Sequence, residues 1–167
     1  VRISGLQIHC DYRIQNTGEN AFPWLWCAHP LLPFLPGLSL EVDGEFDVLF
    51  ATDAAESLLG KRVGWEDLPS REEKWSAKLF SGCSAVNQVT ARQADGSGLR
   101  FVWNRQEIPY LGLWVNNGAW SGCGSEPYFN IGIEPATLPV DDLSAFEIPP
   151  ILDSGESVRW SLNVSLI

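Results

Sequence analysis

The sequence predicts an all-β protein, an antiparallel β-sandwich. Two observations carry this prediction: apolar residues recur with a period of two in several short stretches, and clusters of Gly, Asn, Asp and Pro separate those stretches. Short alternating strands joined by such turns are typical of sandwiches and barrels. Because the chain has 167 residues, 45% of them hydrophobic, we expect a single domain over residues 1–167 with its own core.

The predicted strands follow one another along the chain. The first covers residues 6–16, where Ile8, Cys10 and Tyr12 alternate with polar residues, and the sequence NTGEN then supplies a turn. The same alternation predicts further strands within residues 39–44, 85–98, 99–105, 110–118, 128–135 and 157–167. Helix is scarce: residues 51–60 and 71–79 could each form a turn or two of helix, or an excursion between strands.

Charge and composition exclude several classes of partner. Lys and Arg total 11 against 21 Asp and Glu, and a net charge of -10 repels both nucleic acid and anionic membrane surfaces. No apolar run approaches the roughly 18 residues of a membrane span, and the N-terminus lacks the pattern of a signal peptide. We therefore expect a cytoplasmic protein that binds neither nucleic acid nor membrane.

The cysteines and the absent motifs argue against metal and nucleotide chemistry. The four cysteines are widely separated, with no CxxC pair and only two histidines to help them, so no metal site is expected. Reduced, packed thiols are the prediction, and two disulfides are the alternative; the residues concerned are Cys10, Cys27, Cys83 and Cys123. The sequence has no GxGxxG, GKS or GKT, GxSxG or HExxH motif, which disfavours nucleotide-dependent chemistry.

Two ionisable residues are candidates for acid and base catalysis. Glu134 ends the strand YFNIGIEP beside Gly132, just before Pro135 halts the ladder, so it is either a general base or a solvated edge glutamate. His29 stands in the apolar stretch FPWLWCAHP, as either a packed core histidine or a proton carrier held in a dry pocket. Burial lowers the pKa of an imidazole, whereas a nearby carboxylate raises it. The two effects together can leave the imidazole able to exchange a proton near neutral pH.

Four further residues are candidates for sugar binding. Trp114 and Asn116 alternate with apolar residues and share a face, and an aromatic ring beside amide groups suits a sugar. Asn130 lies on the same face of its strand as Glu134. His9 lies on the polar face of the first strand, as a groove residue or merely an exposed one. The alternative for Trp114 is a tryptophan that covers the sheet.

Four segments together resemble the galactose mutarotase-like, or aldose 1-epimerase, superfamily. In chain order they are N…P…HP, LWVNNG, IGIEPAT and SGESVRWSLNVSL. The resemblance implies the supersandwich fold of that superfamily, with a sugar groove on a concave sheet. It also implies roles: His29 protonates the ring oxygen of the sugar, and Glu134 takes the proton of the anomeric hydroxyl. Ring opening, rotation and closure then interconvert the anomers of a hexose or related aldose, with no cofactor.

The sequence departs from this superfamily in length. Complete members are longer, and Val1 corresponds to a position partway into their fold, so we expect a sandwich that lacks N-terminal strands. The resulting open sheet edge would need a second copy in a homodimer, or pairing with a missing N-terminal segment. Two functional hypotheses remain besides an inactive fragment: an aldose 1-epimerase-like isomerase, and a non-catalytic carbohydrate-binding sandwich of the same fold.

Overall fold

The chain forms an antiparallel β-sandwich, which confirms the predicted fold class. The computed structural model describes residues 1–43, 49–54, 62–63, 68–70, 72–81, 86–122, 124 and 126–167, with backbone alone for 49–54 and 62–63. In this part of the chain the strands pair antiparallel in two six-stranded sheets and one small two-stranded sheet. The only helical element described is a 3-10 turn, Leu143–Ala145.

The first sheet contains both ends of the described chain. Its strands, in spatial order, are β1 (Arg2–Ser4), β2 (Gln7–Gln15), β14 (Ser157–Leu166), β10 (Gly98–Trp103), β9 (Gln88–Arg92) and β5 (Ser39–Val42). The pair formed by β2 and β14 is long and regular, with Tyr12 opposite Trp160. The predicted first and last strands are thus confirmed.

The second sheet carries the segments that surround the two candidate catalytic residues. Its strands, in spatial order, are β4 (Leu31–Pro33), β12 (Phe129–Ala136), β11 (Tyr110–Asn117), β8 (Trp75–Ser81), β6 (Leu49–Ala54) and β7 (Arg62–Val63). The small sheet pairs β3 (Phe22–Pro23) with β13 (Ile151–Leu152).

The core lies between the two large sheets. The period of two turns one set of side chains from each strand inward, and these are fully or nearly fully buried. The second sheet contributes Ala77, Leu79, Leu111, Leu113, Val115, Ile131 and Ile133, and the first contributes Val89, Phe101, Trp103, Trp160 and Leu162. The alternate residues of β8, β11 and β12 therefore face away from the core.

The helical alternative for the two ambiguous segments is wrong where the structure describes them. Residues 75–79 belong to β8, whose Trp75, Ala77 and Leu79 are buried, and residues 51–54 belong to β6; residues 55–60 lie outside the described part. The stretch EEKWSAKL contains strong helix formers, which mask its apolar period of two. Burial in a central strand outweighs this local preference for a helix.

Two of the four cysteines lie in the described part of the chain. Cys10 and Cys27 are half-buried free thiols, and Cys83 and Cys123 lie outside the described residues. No helix in the described ranges has the length and apolar character needed to cross a membrane.

Candidate functional site

The candidate site lies on the face of the second sheet that points away from the core. In one row across the sheet, Lys78 on β8 pairs with Trp114 on β11, which pairs with Gly132 on β12. In the next row Phe80 pairs with Gly112, which pairs with Glu134. Because neighbouring residues on adjacent strands point to the same side, these side chains share one surface.

His29 reaches this surface from the segment that runs beside β12. Cys27 bridges to Ala136, and Leu31 pairs with Gly132, so the register places His29 opposite Glu134. The Ala28 amide donates to the Pro135 carbonyl at 3.0 Å, which fixes this approach. His29 Nδ1 then lies 2.9 Å from Glu134 Oε1. The two predicted catalytic residues are cross-strand neighbours in direct contact.

The two side chains differ strongly in exposure. The His29 side chain is 58% exposed, whereas Glu134 is 0% exposed. The prediction that the apolar setting keeps His29 dry is therefore wrong, because the flanking Trp24, Trp26 and Ala28 turn into the core and leave the imidazole at the surface. Glu134 is not a solvated edge residue, since β4 and the segment before it cover that side of β12.

Glu134 is buried together with a cation that sequence reasoning missed. The Lys78 ammonium contacts Glu134 Oε2 and lies 3.1 Å from Asp141 Oδ1, and the Lys78 side chain is only 7% exposed. Burial works to lower the pKa of Lys78, but the Glu134 and Asp141 carboxylates outweigh it and hold that pKa above the ordinary lysine value. The site therefore contains a lasting ammonium–carboxylate pair.

A thiol completes the surroundings of the carboxylate. Cys27 Sγ lies 3.6 Å from Glu134 Oε2 and 3.3 Å from the Ala28 carbonyl oxygen. Burial, reinforced by the Glu134 carboxylate, raises the pKa of the Cys27 thiol far above its ordinary value. The thiol thus stays protonated near neutral pH and acts as a donor rather than a nucleophile.

Gly132 makes the space in which the carboxylate lies. A Cβ built on Gly132 would stand 2.5 Å from Glu134 Oε1 and 3.2 Å from its carboxyl carbon. Oε1 is buried and accepts no well-aligned hydrogen bond from the described residues, whereas Oε2 is held by Lys78. Oε1 lies against the His29 imidazole instead, so it is the oxygen that a movement of His29 uncovers.

A pocket of about 420 Å³ opens on this face of the sheet, and Glu134 is not among its lining residues. Its polar lining comes from His29, Lys78 and Asp141, and its apolar lining is Leu31, Trp114, Trp120 and Tyr128. The volume lies within the range of small-molecule sites, which join a mostly apolar wall to a few placed polar groups.

The aromatic wall is an ordered cluster. The Trp114 and Trp120 rings meet edge to face with centroids 5.8 Å apart, and the Trp120 and Tyr128 centroids are 5.7 Å apart. Trp120 is 49% exposed, so an apolar ring lies open to the pocket. No local pattern distinguishes Trp120 from the other tryptophans, because the turn that folds it back over β11 is a tertiary feature.

Asn116 supports this wall from below. Its Oδ1 accepts hydrogen bonds from the amides of Ala119 and Trp120 at 3.2 and 3.1 Å, and its Nδ2 donates to the Trp120 carbonyl at 2.7 Å. Asn116 is fully buried, with both polar atoms engaged in the turn. Asn130, its partner across β11 and β12, is also buried, and Asn130 Oδ1 accepts no hydrogen bond from the described residues.

The structure does not bring His9 to this pocket. His9 is on β2 in the first sheet and alternates with Cys10 and Tyr12, which pack toward the core, so it lies on the opposite outer surface of the sandwich. Its ring contacts Asn163 Oδ1, and its Nε2 lies 2.7 Å from Asp11 Oδ1. Of the six predicted site residues, His29, Glu134 and Trp114 come together, with Asn116 and Asn130 on the same sheet.

In the described part of the chain, no cluster of three or more His, Cys, Asp or Glu side chains could hold a metal ion. His29 and Glu134 are an imidazole and a carboxylate in contact, two groups that can exchange a proton.

Comparison with known proteins supports the fold. No protein-family model matches the sequence, and no curated protein sequence matches it. Among solved structures, a Synechocystis protein superposes with a TM-score of 0.68 at 16% identity, covering 98% of this chain and 52% of its own.

Two other similar structures carry functional names. An Escherichia coli protein provisionally named as an aldose 1-epimerase superposes with a TM-score of 0.65 at 14% identity, covering 96% of this chain and 56% of its own. A galactose mutarotase related enzyme from Lactobacillus acidophilus superposes with a TM-score of 0.64 at 11% identity. The superposition covers 99% of this chain and 59% of that enzyme's chain. The fold is therefore that of the galactose mutarotase-related sandwiches, and the chain spans about half the length of these structures.

Proposed function

We propose that the protein is an aldose 1-epimerase-like isomerase that interconverts the anomers of a hexose or related aldose. The observation that carries this proposal is the pair formed by His29 and Glu134, whose Nδ1 and Oε1 atoms are 2.9 Å apart: His29 lines a pocket with an aromatic wall, and Glu134 is buried directly behind His29. An acid and a base held next to each other below a sugar-sized pocket are the groups that ring opening requires.

The reaction needs one proton at each of two oxygens. Glu134 takes the proton of the anomeric hydroxyl as the bond between C1 and the ring oxygen breaks, and His29 gives its proton to that ring oxygen. Rotation about C1–C2 turns the aldehyde, and closure returns both protons with the roles reversed. No redox cofactor enters the balance, because protons are exchanged and no net electron transfer occurs.

A sugar reaches Glu134 when the His29 side chain moves aside. His29 is more than half exposed, so its imidazole can leave the carboxylate without disturbing the core. The sugar then takes the place between imidazole and carboxylate, with its apolar face on the rings of Trp114 and Trp120. Asn130 is a further candidate, because its buried side-chain oxygen Oδ1 could accept a hydrogen bond from a sugar hydroxyl.

The charges of the pocket favour a neutral sugar over a sugar phosphate. The lysine in the described lining is already matched by two carboxylates, Glu134 and Asp141. A phosphate would meet Asp141 near this ammonium, which costs free energy through like-charge repulsion. The chain as a whole is also acidic, with a net charge of -10.

A second candidate function is sugar binding without catalysis. The complete burial of Glu134 favours it, because a base that stays beneath His29 and Lys78 meets no substrate. Binding would then rest on the aromatic wall alone.

Polarimetry on freshly dissolved α-galactose and α-glucose tests the proposal. The wild type should accelerate mutarotation over buffer, and Glu134→Gln and His29→Gln should each lose at least about 100-fold in rate. His9→Gln is the matched control, since it changes the other histidine on the opposite surface, and it should leave the rate unchanged. A wild type no faster than buffer would overturn the proposal, and sugar-dependent tryptophan quenching in that sample would support the second candidate.

The open sheet edge remains a separate prediction. In the first sheet β1 is an edge strand. Its Ile3 is 75% exposed, and Leu6, just after the strand, is 66% exposed. Pairing of this edge with a second copy or with a preceding segment would cover these apolar residues. Light scattering at increasing protein concentration would detect a homodimer.

A further inference from the structure

Lys78 is a buried cation in a place where the fold alone does not require one. The neighbouring outward residues of β8 are Ser76 and Phe80, and the Lys78 ammonium lies 5.0 Å from the centre of the Phe80 ring. Its side chain is 7% exposed. Burying an ammonium costs several kcal/mol, so a lysine here needs a compensating partner.

The compensation comes from two carboxylates on different elements. Glu134 belongs to β12, two strands away, and Asp141 belongs to the loop that follows β12. Lys78 therefore reaches across β11 and ends between the candidate base and a pocket wall. Asp141 is 56% exposed, so it holds the ammonium from the solvent side while Glu134 holds it from within.

The ammonium also distinguishes the two oxygens of Glu134. Oε2 is engaged by Lys78 and lies near the Cys27 thiol, whereas Oε1 points to His29 and accepts no well-aligned hydrogen bond. Without the ammonium, a fully buried carboxyl group is driven toward its neutral form. A neutral carboxyl group cannot accept the proton of an anomeric hydroxyl.

We propose that Lys78 is the positioning residue of the candidate base: it keeps Glu134 ionised and occupies Oε2, so that Oε1 is the oxygen that receives the sugar proton. This inference rests on the proposed function for its catalytic part. The claim about the ionisation of Glu134 stands on the contacts of Lys78 and can be tested without a substrate.

The kinetic test compares Lys78→Met, which keeps an unbranched side chain one heavy atom shorter and removes its charge, with Lys74→Met. Lys74 is an exposed lysine just before β8 and serves as the matched control. Lys78→Met should lower kcat about 100-fold and change the sugar dissociation constant, measured by tryptophan fluorescence, less than about threefold. Equal kcat values for both variants would overturn the proposal.

The second test reads the state of Glu134 through His29. The sequence has only two histidines, so the ¹⁵N resonances of the His29 ring can be compared with those of His9 in the same sample, at about pH 6.5. If Lys78→Met leaves Glu134 neutral, His29 loses its anionic partner and its ring shifts move toward neutral imidazole. If Glu134 stays ionised without Lys78, His29 loses only a neighbouring cation, and the shifts move toward imidazolium.

The proposal predicts movement toward neutral imidazole in Lys78→Met, with wild-type shifts in Lys78→Arg, which keeps the charge. Movement toward imidazolium, or no movement at all, would overturn it even if the protein is an epimerase. A wild type without activity would instead remove the proposed function, and the direction of the His29 shift would still decide whether Lys78 controls Glu134.

Discussion

The cost of removing the Glu134 charge can be worked out from its neighbours. Glu134→Gln keeps the shape of the side chain but takes away the carboxylate that the Lys78 ammonium, 7% exposed, contacts most closely, while Asp141 stays at 3.1 Å. Breaking a buried ion pair from one side costs about 3–5 kcal/mol. Because Asp141 retains part of the compensation, we expect a loss of about 3 kcal/mol in the free energy of unfolding, at the low end of that range.

For a domain of this size, that loss corresponds to a decrease in Tm of about 6–12 °C. Urea denaturation at neutral pH measures the loss in the free energy of unfolding, and Glu41→Gln is the control. Glu41 pairs with Arg92 at 3.3 Å on the surface, with 62% of its side chain exposed, so its loss should cost less than about 1 kcal/mol. Equal costs for the two variants would show that the ammonium does not depend on Glu134 and would refute the reasoning.

Three further predictions concern the groups around the pocket. Gly132→Ala should displace the Glu134 carboxylate, so mutarotation activity is lost while the fold survives. Polarimetry and circular dichroism on one sample measure the two effects. Retained activity would contradict the packing of Gly132 against Oε1. The raised pKa of Cys27 means that the unfolded thiol ionises near its ordinary value of 9.0 while the folded thiol does not. The wild type should therefore lose about 1 kcal/mol of unfolding free energy relative to Cys27→Ser between about pH 8.5 and pH 10, and parallel urea titrations would disprove this. Asn116→Ala should release the turn that carries Trp120 and weaken sugar binding about tenfold, measured as fluorescence quenching, and unchanged quenching would place Trp120 outside the binding surface.

The fold class was predictable because the strands that build it obey local rules. The alternation in residues 6–16 fixes which side of β2 faces the core, and burial of Cys10 and Tyr12 against β14 confirms it. The period of β12 likewise places Glu134 and Gly132 on the outward face. Strand β8 escaped this reasoning because its residues favour a helix locally, and only its central place in the sheet overrides that preference.

The candidate site was predictable only in part. Its acid and base came from a family resemblance, and periodicity gave the face on which Trp114 lies. Lys78 and Asp141 could not be found, since their contacts join residues 56 or more positions apart and depend on the register of three strands. The exposure of His29 follows from which neighbours turn inward, and no local pattern in an irregular segment decides that.

Anomer exchange at equilibrium tests most directly whether His29 and Glu134 open an aldose ring. In a galactose solution, saturation of the α-anomeric proton resonance should be transferred to the β-anomeric resonance in the presence of the wild type, and not with Glu134→Gln. Absence of transfer with a wild type whose tryptophan fluorescence responds to galactose would contradict catalysis and leave a sugar-binding sandwich.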